Sequence, residues 1–126
     1  MTFSKETAEK NGETWIGPSQ DEYVALFKAA SSSGNLEPDY HGAEASAAIL
    51  ALVLAVEKAD SLDSDKVRAA HEDLQFTSFY GTWDIDETGM QVGHSMVDTQ
   101  WQDGKRVIIW PEAAQTGAPA YPKKKF

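Results

Sequence analysis

The chain has 126 residues, 41% of them hydrophobic and 25% charged, the profile of one ordinary globular domain. Lys and Arg number 11 against 20 Asp and Glu, a formal net charge of −9, which argues against a nucleic-acid backbone or an anionic membrane as partner. There is no cysteine, so disulfides and thiolate chemistry are excluded.

Met1 to Glu13 is polar and charged. It contains no apolar core of the signal-peptide kind, so export is not expected from this stretch. Residues 1–16 are expected to form a flexible lead-in, and 17–126 a single α+β domain. Gly17-Pro18 breaks the chain. Ser19 and Glu22 then form a capping box, each side chain placed to reach the other's backbone amide. Tyr23, Leu26, Phe27 and Ala30 follow at helical spacing and predict one apolar stripe. Ser31 to Asn35 reads as a loop.

Asp39 is placed to cap the next helix. From Ala45 to Val56 that helix is apolar at every position except Ser46. A helix that is apolar all round is normally buried. The run is about a dozen residues where a membrane span needs about 20, so a core helix is expected, with no membrane insertion. Asp63 or Ser64 caps a third helix through Leu74, with Val67, Ala70 and Leu74 facing inward.

After Gln75 the pattern changes to strand. Phe76 to Tyr80 is β-prone, Thr82 to Ile85 alternates, and Asp86-Glu87-Thr88-Gly89 reads as a turn. Met96–Gln102 and Lys105–Trp110 flank Asp103-Gly104, a pair that favours a type I′ hairpin. That register sets Trp101 opposite Arg106, Thr99 opposite Ile108 and Val97 opposite Trp110. Pro111 ends the hairpin, and the remaining chain is expected to run extended and exposed. Helices first and strands last give an α+β fold: three helices followed by a small antiparallel hairpin or sheet.

Several stretches, in order, carry a family resemblance. They are Tyr23-Val24-Ala25-Leu26-Phe27-Lys28, Pro38-Asp39-Tyr40-His41-Gly42-Ala43 and Asp65-Lys66-Val67-Arg68-Ala69-Ala70. They continue with Phe79-Tyr80-Gly81, Asp86-Glu87-Thr88-Gly89, Gln100 to Lys105, Val107 to Pro111 and the ending Tyr121 to Phe126. From about Ser19 onward the chain resembles the C-terminal third of the type I periplasmic solute-binding proteins, the leucine/isoleucine/valine-binding receptors of ABC transporters. The resemblance implies a fragment of a non-catalytic receptor for a branched-chain amino-acid or amide solute, an ABC permease as partner, and a periplasmic location. It also implies that the start of the central helix lies at the edge of the ligand cleft, which makes Tyr40, His41 and Glu44 the candidate ligand contacts. The sequence departs from the family at Asp98, where an apolar residue is usual, and at Trp83-Asp84.

No catalytic residue is expected, because G-x-S-x-G, Walker A, G-x-G-x-x-G and H-E-x-x-H are all missing. His41 and Glu44 stand at a spacing that can share a metal, but only His71 and His94 remain as further imidazoles, and no metal site or cofactor is expected. Asp84, Asp86 and Glu87 lack the EF-hand pattern and read as an acidic turn. Two short helices and a hairpin cover the central helix poorly, so self-association into a homo-oligomer is expected. The alternative to a receptor is a stand-alone, self-associating interaction module.

Overall fold

The computed structural model describes residues 4–34 and 36–122. The chain divides into two compact units with the boundary between His94 and Ser95.

The first unit begins with α1 (Lys5–Lys10), which lies inside the expected lead-in. The Ser4 hydroxyl accepts from the Thr7 amide at 3.1 Å, and Lys10 pairs with Glu6 at 2.8 Å. Only Ala8 on this helix is buried, so no apolar period announced it. The following residues are tied to β1 (Phe76–Ser78). The Thr77 amide donates to Thr14 O at 2.8 Å, the Ile16 amide donates to Thr77 O at 2.9 Å, and the Thr77 hydroxyl donates to Glu13 at 2.6 Å. Backbone pairing of this kind leaves no side-chain pattern to read. Met1 to Phe3 of the lead-in lie outside the described residues, as do Asn35 and the Lys123–Phe126 ending.

The capping box forms at the start of α2 (Gln20–Ala30). Of its expected stripe, Tyr23 is buried and Phe27 half-buried, whereas Leu26 and Ala30 are exposed. The central helix is α3 (Tyr40–Ala59), capped by Asp39, whose carboxylate accepts from the Gly42 amide at 2.8 Å. It ends at Asp60 in the left-handed region, φ 46°. α4 (Ser64–Glu72) is capped by Asp63 and stops two residues before Leu74.

α3 is not buried on all sides. Its inner stripe is Ala47, Ala51 and Ala55, at i, i+4, i+8. Methyl-sized side chains let α3 approach its neighbours closely; Leu50, Leu54 and Val56 are half-buried, and three larger side chains turn outward. Ile49 is 64% exposed, Leu52 54% and Val53 47%. On the packed side, the Tyr23 hydroxyl lies 3.1 Å from Gly42 O and 3.0 Å from Ser46 Oγ. That interaction accounts for the one polar residue in the apolar run. A Cβ at Gly42 would stand 3.3 Å from the Phe27 ring, so glycine sets the α2–α3 approach. β1 pairs antiparallel with β2 (Gly81–Trp83), with Phe76 opposite Trp83 and Ser78 opposite Gly81. The Asp86 turn forms around one carboxylate oxygen, which accepts from the Thr88 hydroxyl at 2.6 Å, the Thr88 amide at 2.8 Å and the Met90 amide at 3.0 Å.

The second unit is a hairpin of β3 (Asp98–Gln102) and β4 (Lys105–Trp110), followed by a 3₁₀ turn over Glu112–Ala114. Asp103 and Gly104 both have positive φ, 49° and 74°, as a type I′ turn requires. Trp101 pairs with Arg106 and Thr99 with Ile108, as expected, but Trp110 faces Asp98 and not Val97. Ile109 is the extra residue of a bulge there, which moves the register by one. The segment after the hairpin is stitched to it. Gln100 donates to Ala120 O at 3.1 Å and accepts from the Ala120 amide at 2.8 Å, while Gln102 donates to Ala118 O at 2.9 Å. Thr116 takes both outward groups of Ile108: its amide donates to Ile108 O at 2.9 Å, and its hydroxyl oxygen accepts from the Ile108 amide at 2.9 Å. The extended, exposed run expected from the sequence is therefore held by side-chain amides and a hydroxyl, which local patterning does not reveal.

Candidate functional site

Tyr40, His41 and Glu44 all lie in the first turns of α3, where Asp39 fixes the start of the helix. His41 Nδ1 stands 3.8 Å from Glu44 Oε2, with both side chains largely in solvent. The Tyr40 ring packs edge-on to His41, ring centres 5.4 Å apart. It also meets Tyr80, ring centres 5.8 Å apart, and Tyr80 in turn meets His94 edge-on at 5.5 Å. The structure thus brings the three expected residues together and adds two that the sequence reading did not select.

Tyr80 and His94 arrive by backbone geometry. Tyr80 sits in the tight connection between β1 and β2, which Gly81 closes at φ 134°. A Cβ at Gly81 would lie 3.2 Å from the His94 ring, so the absent side chain makes room for the imidazole. His94 Nδ1 lies 2.8 Å from Thr82 O, an acceptor, so Nδ1 carries a proton and donates it there. The loop before it is clasped to β2. The Gln91 side chain accepts from the Asp84 and Gly93 amides at 3.1 and 2.8 Å, and donates to Thr82 O at 3.2 Å. Gly93 lies so close to β2 that a Cβ would come within 2.6 Å of Thr82 O.

The cluster offers aromatic faces, hydroxyls, imidazoles and one carboxylate. Burial pushes the Tyr80 phenol above its ordinary value, and a hydrogen bond with the Tyr40 side chain adds to that shift. The phenol is therefore a neutral donor at any physiological pH. Among the described residues, no three His, Cys, Asp or Glu side chains gather closely enough to hold a metal ion. No helix of the described residues is long and apolar enough to cross a membrane.

A concavity lies elsewhere, between α3 and α4. It is an open groove of about 480 Å³ lined mainly by Leu52, Val56, Leu62, Val67, Arg68 and His71. It shares no residue with the Tyr40 cluster. Its lining is largely apolar, and Arg68 is already paired with Glu72 at 3.5 Å.

A family model described as periplasmic binding protein matches residues 10–106, a span that contains Tyr40, His41, Glu44, Tyr80 and His94. No solved structure matches the chain.

Proposed function

The chain belongs to the periplasmic binding protein family, and from that premise we propose that it forms part of a periplasmic receptor for a small amino-acid or amide solute of the branched-chain class, serving an ABC permease. The role is binding without catalysis: lobes close on the solute, and the closed form docks on the permease. Tyr40, His41 and Glu44 are the contacts, with Tyr80 and His94 supporting the Tyr40 ring from behind. The observation that carries this reading is the family match over residues 10–106, with the aromatic cluster inside it.

A thermal-shift panel of Leu, Ile, Val, small amides and aromatic acids tests it. A true ligand at 100 times its Kd stabilises the fold by about 2.7 kcal/mol. His41→Ala is expected to remove the shift while leaving the unliganded melt close to wild type, because the His41 side chain is 85% exposed. No shift with any member of the panel would count against solute binding. The second reading, an interaction module, is favoured by one observation: the exposed Ile49, Leu52 and Val53 on α3. A self-associating chain with no response to the panel would select it.

A further inference from the structure

The side of α3 turned away from the alanine stripe carries exposed Ala45, Ala48, Ile49, Leu52 and Val53, with half-buried Val56. At 1.5 Å per residue, this uncharged run covers roughly 17 Å of helix. Contiguous exposed apolar surface of this kind marks an interaction site. The identity of the occupant follows from the order of side-chain sizes and from the groups at the two ends. Small residues, Ala45 and Ala48, occupy the N-terminal end, Ile49 and Leu52 the centre, and Val53 and Val56 the C-terminal end.

We propose that this face pairs with the same face of a second copy of the chain, the two α3 helices running antiparallel about a two-fold axis between Ile49 and Leu52. Ala48 then meets the partner's Val53, and Ala45 meets the partner's Val56. Small packs against large on both sides of a central contact between Ile49 and the partner's Leu52, and the interface is isologous. A parallel pairing sets alanine on alanine at one end and valine on valine at the other, leaving a gap and a collision. The ends agree with the antiparallel choice. His41 and Asp60 are both exposed and close in helical phase to the apolar run, so the imidazole meets the partner's Asp60 carboxylate. Glu44 and Glu57 fall on opposite flanks of the helix, so the pairing keeps the partner's Glu57 away from Glu44.

One helix face is smaller than the roughly 800 Å² per partner of a standard interface. Leu62, 87% exposed, and the adjoining α3–α4 groove widen the patch. The dimer is accordingly reversible and depends on concentration.

Sedimentation velocity of the full chain over a wide concentration range is expected to show monomer–dimer exchange. Ala48→Leu, at a position exposed in the monomer, is expected to weaken the dimer about tenfold because the added bulk strikes the partner's Val53. Combining Ala48→Leu with Val53→Ala restores small against large and is expected to recover the dimer. Cooperative thermal melts of both variants confirm that they fold. A wild-type chain that stays monomeric throughout overturns the proposal. So does an Ala48→Leu dimer as tight as wild type or tighter, the behaviour of an unspecific apolar contact, and so does a double variant that stays as weak as the single one.

Discussion

Tyr80 ionises against two obstacles. Its phenol is partly buried, which disfavours the phenolate, and it shares a hydrogen bond with the Tyr40 side chain; the Glu44 carboxylate adds a smaller repulsion. Its folded pKa therefore lies above its unfolded one. A group raised in this way contributes fully below its unfolded pKa of about 10, and that contribution is lost as pH rises through the folded value. Stability is expected to fall above about pH 10, and Tyr80→Phe is expected to flatten that decline in denaturant titrations. The same variant should remove a component that ionises above the ordinary tyrosine range from the phenolate absorbance curve. At this scale, legibility follows sequence distance. The Ser19–Glu22 box was readable because both halves lie within one turn, and both hydrogen bonds are present at 3.3 and 2.8 Å. The contact of Tyr80 with Tyr40, and of His94 with Tyr80, was not, because nothing local encodes a meeting of a helix start with distant loops.

α3 separates what an element's sequence can specify from what it cannot. Asp39 and the apolar run located the helix, and its span matches them. Its inner face stayed hidden because hydrophobicity is nearly uniform around it, so no stripe marks a side. Residue size decides instead, and Ala51 and Ala55 are both fully buried at 0% exposure. Ala51→Leu is expected to cost about 1–3 kcal/mol by overpacking, read as a lower urea midpoint. Ile49→Ala, on the open side, is expected to change monomer stability by no more than about 0.5 kcal/mol. The hairpin teaches the same lesson. Asp103-Gly104 specified the turn and the nearest pairs, but the Ile109 bulge beyond Thr99 had no turn chemistry to announce it.

The whole chain carries a net charge of −9 and an isoelectric point near 4.6. Two of its carboxylates hold their protons less tightly than usual. Glu22 is lowered first by the Ser19 amide and then by the Ser19 hydroxyl. Asp86 is lowered by the Thr88 hydroxyl and the Met90 and Thr88 amides. Depressed groups contribute above their unfolded pKa, and the contribution is lost as pH falls through the folded value. Acid unfolding is therefore expected to steepen below about pH 4, and Glu22→Gln with Asp86→Asn to make it less steep, as followed by circular dichroism. Family membership was legible at this scale because ordered motifs survive where any single one is weak. The unit boundary was not, since Gly93-His94-Ser95-Met96 has none of the length or low-complexity composition of a linker.

The Thr116 clasp on Ile108 has a consequence for association through strands. The outer edge of a hairpin offers unpaired backbone groups, a template on which a foreign strand can polymerise. At Ile108, in the middle of β4, both outward groups are already occupied by Thr116. A strand arriving there must first strip away the chain's own segment. Through that one threonine, the second unit defends its sheet edge against aggregation, while the first leaves its apolar surface on a helix, where a partner is selected by side-chain shape and not by a generic backbone ladder.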